Sequence, residues 1–179
     1  MPLRRLIYAP DRWWLAGGAI PAANCLEHIE FPVQAQVYLG PTVADGNPWT
    51  IAATTAWNGS DGEYVLDAET GRVILGVSTT VTGGNNGYFL SGTWYDVNLF
   101  VSGVRHVYFL ICDAALTSAY RDAVNVGGSA ANHPGFAGQI RWRSYYGGGN
   151  YWSNEVLKAA VFNVALDTAQ RTALYNAMR

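Results

Sequence analysis

Charged side chains are scarce in this sequence. Aspartate, glutamate, lysine and arginine make up 13% of its 179 residues, about half of the roughly 25% that is usual in soluble domains. Lys158 is the only lysine, and the formal net charge is −2. Such a composition offers no electrostatic basis for binding nucleic acid or an anionic membrane. So few charges on a folded surface predict that another protein covers part of it.

Cysteine and long apolar runs are also scarce. Only Cys25 and Cys112 are present, without the close spacing of a metal site. The longest apolar run, residues 107–112, is far too short to cross a bilayer. Near the start of the chain, Asp11 and Arg12 interrupt any apolar segment that could act as a secretory signal. We therefore expect a chain made in a reducing cytoplasm, with unpaired thiols and no membrane insertion.

Aromatic residues and glycine are abundant instead. The chain holds 7 Trp, 11 Tyr, 6 Phe and 20 Gly, and this combination is typical of short strands joined by glycine-containing turns. Alternating or continuously apolar stretches recur, with turn-forming residues between them. These strand segments are 33–40, 49–57, 63–68, 73–80, 93–103 and 104–113. Strands at this spacing predict an all-β fold, namely an antiparallel β-sandwich.

Three segments carry more detailed predictions. Segment 104–113 is apolar on both faces, so we expect it at the centre of a sheet. Segment 114–124 fits a helix or a strand, and we expect it to be extended. Segment 93–103 has an apolar face that should point into the core. The residues on that face are Tyr95, Val97, Leu99 and Val101.

The chain ends in a helix signature. Asp167 is a suitable N-cap, and Gln170 three positions later can complete a capping box. We expect a short C-terminal α-helix of about 11 residues, whose apolar side covers an open end or an unpaired edge of the sandwich. The residues expected on the covered side are Ala169, Ala173, Leu174, Ala177 and Met178. Arg171 and Asn176 are expected on the exposed side.

Four motifs occur in the order in which they occur in laminin G-like domains. The stretch SGTWYDVNLFVSG resembles the G-x-W-x-x-V-x-L strand of that family, and VYFLICDAAL resembles its following strand and turn. GFAGQI resembles the f-x-G-x-I step, and AVFNVALDTAQRTALYNAM is similar to the closing strand and helix. The resemblance implies a concanavalin A-like jelly roll of the lectin/glucanase superfamily.

The resemblance extends over most of residues 31–178. It implies a sandwich at 31–179, with residues 1–30 as an N-terminal extension or as a first strand that is integral to the domain. The sequence departs from the family pattern at two points. Ala114 stands where the family has a turn glycine, and the segment between Ile140 and Ala160 is longer than the family's passage into its last strand.

Hydrolases of the superfamily carry catalytic carboxylates in an E-x-D-x-E pattern along one strand. The nearest match, Asp61, Glu63, Asp67 and Glu69, is interrupted by turn residues, and Val65 occupies the position of a third carboxylate. The sequence has no G-x-S-x-G nucleophile motif, and none of its histidines has a recognisable partner. We therefore expect no catalytic residues. A pair of these carboxylates acting as acid and base is the alternative.

The loop at 58–63, NGSDGE, is rich in oxygen ligands. Laminin G-like domains often bind calcium at the rim of the sandwich, and the resemblance makes this loop a candidate calcium site. The loop lacks the D-x-D-x-D-G order of a dedicated calcium loop, and a plain hairpin turn explains the same residues. Both interpretations stay open, and the sequence assigns no metal ligand and no cofactor.

The segment 141–152, RWRSYYGGGNYW, has aromatic residues on both sides of a glycine-rich tip. Aromatic faces stack on sugar C–H groups, while arginine and asparagine can bind hydroxyls. We expect a recognition hairpin whose rings are exposed at one end of the sandwich. The alternative is a long hairpin whose rings pack on the sandwich. The candidate ligand-binding residues are Arg143, Tyr145, Tyr146, Asn150, Tyr151 and Trp152.

Fold and location together suggest a function. A lectin-like sandwich usually meets its ligands outside a cell, whereas the first residues of this sequence contain no export signal. A virion protein satisfies both conditions, because it is assembled in the host cytoplasm and released by lysis. We therefore expect a non-catalytic structural protein of a bacteriophage particle, in the head decoration, the tail or a fibre.

On the particle we expect the protein to be oligomeric, with other virion proteins as partners and host glycans as candidate ligands. Two other classes remain open on the sequence. One is a small glycan-cleaving hydrolase of the same superfamily, and the other is a cytoplasmic sugar-binding lectin.

Overall fold

A computed structural model of the chain describes residues 19–31, 38–43, 48–68, 73–78, 85–90, 92–113, 116–129, 139–143 and 152–179. These residues form two six-stranded antiparallel sheets that pack face to face, with one α-helix at the C-terminus. The predicted all-β antiparallel sandwich with a short C-terminal helix is therefore confirmed. In the described part of the chain, no helix is long and apolar enough to span a bilayer.

The described residues contain twelve strands. They are β1 (Cys25–Glu30), β2 (Tyr38–Thr42), β3 (Trp49–Ala56), β4 (Glu63–Ala68), β5 (Val73–Val77), β6 (Asn86–Leu90), β7 (Thr93–Asp96), β8 (Arg105–Cys112), β9 (Thr117–Arg121), β10 (Val124–Ser129), β11 (Gln139–Trp142) and β12 (Val156–Phe162). A 3₁₀ turn (Ala22–Asn24) precedes β1, and the helix α1 (Thr168–Met178) follows β12. The first sheet has the order β1-β12-β3-β8-β9-β10, and the second has the order β2-β11-β4-β5-β6-β7.

The core lies between the two sheets. The first sheet contributes Ile51, Tyr108 and Leu110 to it, and the second sheet contributes Leu75 and Tyr88. Burial raises the pKa of the Tyr108 hydroxyl to about 12. Side chains alternate across each strand, so every inward residue has an outward neighbour that needs its own environment.

The strand β8 has the central position that its sequence predicts. It lies between β3 and β9 in the first sheet. Tyr108 and Leu110 point into the core between the sheets, whereas Val107, Phe109 and Ile111 belong to a second apolar cluster on the outer side of the sheet. Because both faces of β8 are buried, the strand can be apolar throughout.

The segment 114–124 is extended where it is described, as predicted. Its strand β9 pairs with β10 through a two-residue turn at Asp122 and Ala123. Both turn residues have positive φ, 52° and 65°, which is the backbone twist that favours a tight antiparallel hairpin. Asp122 is a residue type that tolerates this conformation well.

The apolar face predicted for 93–103 is correct at three of its four residues. Tyr95 and Val97 pack against the core, and Leu99 is buried in it. Val101 is instead exposed. The regular strand ends at Asp96, so the alternation of faces does not continue as far as Val101.

The helix α1 begins with the predicted capping box. The Gln170 amide donates to Asp167 Oδ1 over 2.8 Å, and the Asp167 amide donates to Gln170 Oε1 over 2.9 Å. Its buried residues Leu174 and Met178 pack on the outer face of the first sheet, against an apolar cluster that includes Phe109. The expectation that the helix covers an end or an edge is wrong, because this sheet face is itself apolar and needs a cover.

Arg171 is also placed differently from the prediction, since it is buried. Its guanidinium lies 4.0 Å from the centre of the Tyr120 ring, and its Nε donates to the carbonyl of Ala123 over 3.3 Å. An arginine can bury its long stem and still satisfy its charge on an aromatic face and a carbonyl. Helical periodicity therefore assigned it to the wrong side.

Polar contacts also fix the end of the helix to the sheet. Thr54 Oγ1 donates to the carbonyl of Met178 over 2.9 Å, and Lys158 Nζ donates to the carbonyl of Ala177 over 2.9 Å. These carbonyls belong to the last turn, where no helical amide is available to them. The only lysine of the chain is thus used to complete the helix end.

The two cysteines are unpaired, as expected. Cys25 lies in β1 and Cys112 in β8, which are three strand positions apart in the first sheet. Three strand spacings amount to about 14 Å, too far for a disulfide. Burial raises the pKa of the Cys25 thiol to about 12 and also raises the pKa of Cys112, so neither is an activated nucleophile.

We predict that a chain ending before Asp167 loses stability and aggregates. The truncation removes two buried side chains of α1, Leu174 and Met178, and their burial contributes about 3–6 kcal/mol. It also exposes the apolar outer face of the first sheet. Thermal unfolding and light scattering measure the effect, with the exposed Asn176→Ala as control. A soluble truncated chain with an unchanged melting temperature would show that α1 is an appendage.

Candidate functional site

The structure describes two of the six predicted ligand-binding residues, and both are buried. Arg143 has a φ of +63°, and its amide donates to the carbonyl of Val65 over 2.6 Å. Its guanidinium donates to the carbonyls of Trp152 and Asn154 over 3.3 and 3.1 Å. The role of Arg143 in this geometry is to hold backbone carbonyls, and its guanidinium does not point out from the surface.

Trp152 is only 1% exposed. Its Nε1 donates to Thr55 Oγ1 over 2.7 Å, and its ring centre lies 5.1 Å from that of Phe100. The expectation of an exposed Trp152 is therefore wrong, because its ring fills the core at the end of the sandwich. The other four predicted residues lie outside the described residues, and their role stays a prediction: Tyr145, Tyr146, Asn150 and Tyr151.

The loop 58–63 meets the residues that follow Trp152. Ser153 donates from its hydroxyl to Glu63 Oε1 over 2.6 Å, and its amide donates to Glu63 Oε2 over 3.3 Å. Asn154 Nδ2 also donates to Glu63 Oε2 over 3.3 Å, while Asn58 Nδ2 donates to Ser153 Oγ over 2.9 Å. Two segments that the sequence singled out separately are thus joined at one end of the sandwich.

This network favours the plain turn over the calcium site. Both oxygens of Glu63 already accept hydrogen bonds from the protein, and Asn58 Oδ1 accepts from the Ser60 amide over 2.8 Å. Gly59 and Gly62 have positive φ, as such turns require. Among the described residues, no group of three or more His, Cys, Asp and Glu side chains is placed to hold a metal.

The carboxylates of β4 do not form a pair. The register between β4 and β5 shifts between Tyr64 and Leu66, so Glu63 pairs with Val77 while Asp67 pairs with Ile74. Side chains three positions apart in β5 point to opposite faces, and Glu63 and Asp67 therefore also lie on opposite faces of the sheet. The sequence numbering alone does not reveal this arrangement, because a bulge is not visible in it.

His106 has a partner that the sequence did not reveal. Its Nδ1 lies 2.5 Å from Oδ2 of Asp122, and Asp122 Oδ1 accepts from the Val107 amide over 3.0 Å. The pair joins the β9–β10 turn to β8. His106 is therefore a hydrogen-bonded residue near the end of β8.

A different group of residues lies on the outer face of the second sheet, at its β7 edge. We call Tyr64, Phe89, Trp94 and Asp96 the Trp94 platform. The rings of Tyr64 and Trp94 are stacked with centres 6.1 Å apart, and the Phe89 and Trp94 rings meet edge to face at 5.7 Å. Trp94 and Phe89 are half-buried, Tyr64 is buried, and Asp96 is exposed.

Strand pairing and a glycine shape the platform. Trp94 pairs with Phe89, and Tyr64 pairs with Gly76 of β5. A side chain at Gly76 would place its Cβ 2.7 Å from Cδ1 of Tyr64, so glycine is required for this ring to lie across β5. The rings are thus held in contact by the sheet and not by a loop.

Two polar groups of the platform are available to a ligand. Asp96 Oδ1 accepts only long bonds, both 3.4 Å, from the amides of Asn86 and Asn98. Within the described part of the chain, Asp96 Oδ2 and the indole N–H of Trp94 have no hydrogen-bond partner. A half-buried ring beside an incompletely bonded carboxylate and an available N–H can bind a ligand with both a C–H face and hydroxyl groups.

The platform covers only part of the sheet face. Ile74 and Asp67, on the same face nearer to β4 and β11, are buried. These buried residues separate the platform at the β6–β7 edge from the exposed Leu39 at the opposite, β2 edge of the same face. The sequence contained a signal for the platform, since a core-facing Tyr95 places Trp94 and Asp96 on the opposite face of the strand.

We predict that Trp152→Ala destabilises the protein far more than Trp94→Ala. Removing the buried indole of Trp152 should lower the free energy of unfolding by about 3–5 kcal/mol, whereas Trp94 is half-exposed and should cost clearly less. Urea unfolding of both variants measures the difference. Equal losses would contradict the assignment of Trp152 to the core and Trp94 to the surface.

No family model matches the chain, and no curated protein matches it by sequence. Several solved structures share the fold. Domain 4 of AbnA, an extracellular GH43 arabinanase from Geobacillus stearothermophilus in complex with arabinotriose, has a TM-score of 0.60 at 12% identity over 83% of this chain and 80% of that domain. The CBM40 of a Ruminococcus gnavus IT-sialidase, bound to α2,3-sialyllactose, has a TM-score of 0.52 at 9% identity over 80% of this chain and 100% of that chain.

Trypanosoma rangeli sialidase in complex with sialic acid is also similar, with a TM-score of 0.59 at 11% identity over 87% of this chain. Our chain spans 33% of that enzyme. At such identities the likeness establishes the fold alone. The chain is therefore similar to jelly-roll β-sandwich domains, as the sequence motifs implied.

Proposed function

We propose that this protein is a non-catalytic glycan-binding β-sandwich and that the Trp94 platform is its binding site. The observation that carries the proposal is the half-buried Trp94, whose indole N–H has no partner among the described residues and which lies beside the exposed, incompletely bonded Asp96. A pyranose or furanose ring can stack its C–H face on an indole while its hydroxyls bind a carboxylate.

The similar structures support this ligand class. Two of them hold an oligosaccharide, arabinotriose in one and sialyllactose in the other. The position of the platform also supports glycan binding. The helix α1 covers the outer face of the first sheet, whereas the platform on the outer face of the second sheet remains accessible to a ligand. The competing hydrolase hypothesis is less well supported, since Glu63 and Asp67 lie on opposite faces.

We further propose the setting that the sequence suggests, a structural component of a bacteriophage particle in the head decoration, the tail or a fibre. A chain with 13% charged residues has a surface suited to burial against other virion proteins. Exposed Val101 and Val104 near Trp57, at the end of the sandwich, fit such a contact. Many copies on one particle would turn weak sugar binding into firm adhesion.

We predict that Trp94→Ala lowers glycan affinity about 5- to 10-fold, the factor expected for one stacked ring. The purified protein is first screened on an array of oligosaccharides, and the affinity for the best glycan is then measured by calorimetry. Trp57→Ala is the matched control, because Trp57 is also half-buried but lies outside the platform. Binding that survives Trp94→Ala and is lost in Trp57→Ala would place the site at the end of the sandwich.

The setting makes a separate prediction. If the protein belongs to a phage particle, mass spectrometry of gradient-purified particles should detect it at a copy number comparable with other structural proteins. Its coding sequence should also lie among capsid or tail genes. Detection only in the soluble fraction of lysed host cells would contradict the virion role and leave the glycan-binding proposal to be judged by the array.

A further inference from the structure

The negative charge of Asp96 affects which glycans the Trp94 platform can bind. We propose that Asp96 makes the Trp94 platform selective for neutral sugars and against glycans that carry a carboxylate or sulfate. The inference rests on the proposed glycan binding and names its ligand class.

The geometry places the charge beside the stacking ring. Trp94 and Asp96 are two residues apart in β7, so both side chains point to the outer face, and their Cα atoms are about 6.5–7 Å apart. Asp96 is exposed, and within the described residues it forms no ion pair. A sugar stacked on Trp94 therefore comes within a few ångströms of an uncompensated carboxylate.

Among the described residues, neither Arg141 nor Arg121 forms an ion pair with Asp96. Arg141 is on the same face but in β11, four strand positions from β7, which is about 19 Å and beyond the screening length of physiological salt. Arg121 lies on the first sheet, and its guanidinium donates to the carbonyls of Asn98 and Leu99 over 3.1 and 3.2 Å. Within the described part of the chain, the charge beside Trp94 is therefore the negative charge of Asp96.

The consequence depends on the ligand's own charge. Sugar hydroxyls can donate to a carboxylate, and such charge-assisted bonds are stronger than neutral ones. An acidic group on the stacked sugar instead meets a like charge at about 6 Å. Between the dielectric of water and that of a protein surface, this repulsion amounts to roughly a 3- to 100-fold loss of affinity.

The similar structures do not decide the question. One of them is bound to the acidic sialyllactose and another to arabinotriose. The shared sandwich therefore allows both kinds of ligand, so the fold alone does not set the selectivity.

The test uses glycan pairs that share one core and differ only in an acidic group, such as neutral oligosaccharides and their sulfated forms. Asp96→Asn is the variant, because asparagine retains an oxygen for the amides of Asn86 and Asn98. Asp61→Asn is the matched control, since it removes one exposed charge at the end of the sandwich. Binding of all three proteins is measured across the array at 50 mM and 500 mM salt.

We expect the wild type to prefer the neutral member of each pair, and Asp96→Asn to reduce that preference by 3-fold or more while Asp61→Asn keeps it. High salt should reduce the preference of the wild type and leave that of Asp96→Asn nearly unchanged. A preference for the acidic members, or an equal preference in wild type and Asp96→Asn, would overturn the role of Asp96 while glycan binding stands. Absence of binding to every glycan by the wild type would overturn the proposed function and, with it, this inference.

Discussion

The first sheet has strands that are apolar on both faces, and the rest of the structure depends on this. Phe109 and Phe162 point away from the core between the sheets, so the sandwich alone would leave them in water. The helix α1 covers them and is bound there by side chains on both partners. As a result the two outer faces are not equivalent, because one is sealed by a helix while the other keeps half-exposed rings at its β7 edge.

Local features of the sequence were predictable, and features that depend on distant contacts were not. The capping box at Asp167 involves residues three positions apart and formed as predicted. Arg171 was assigned to the exposed side because helical periodicity does not include contacts with residues outside the helix. Its partners Tyr120 and Ala123 lie 48 or more positions away in the sequence. The bulge in β4, which separates Glu63 from Asp67, is likewise a property of strand pairing.

Trp152 shows why candidate binding residues are hard to choose from composition. An aromatic residue beside a glycine-rich segment has the same sequence signature whether its ring is exposed or buried. The burial of Trp152 follows only from its contacts with Thr55 and Phe100, which lie far away in sequence. Trp94, by contrast, sits in a regular strand whose alternation fixes its side, so its orientation could have been inferred from Tyr95.

The carboxylates of Glu63 and Asp96 differ in how fully they are hydrogen-bonded. A carboxylate in a nearly closed site is costly unless donors surround it, and Ser153 and Asn154 supply them. These hydrogen bonds also stabilise the end of the sandwich, because Asn58 binds the same Ser153 and Arg143 binds the same Asn154. Asp96 has only two long bonds and remains exposed. Of these two carboxylates, the fully bonded Glu63 therefore stabilises structure, and the incompletely bonded Asp96 can interact with a ligand.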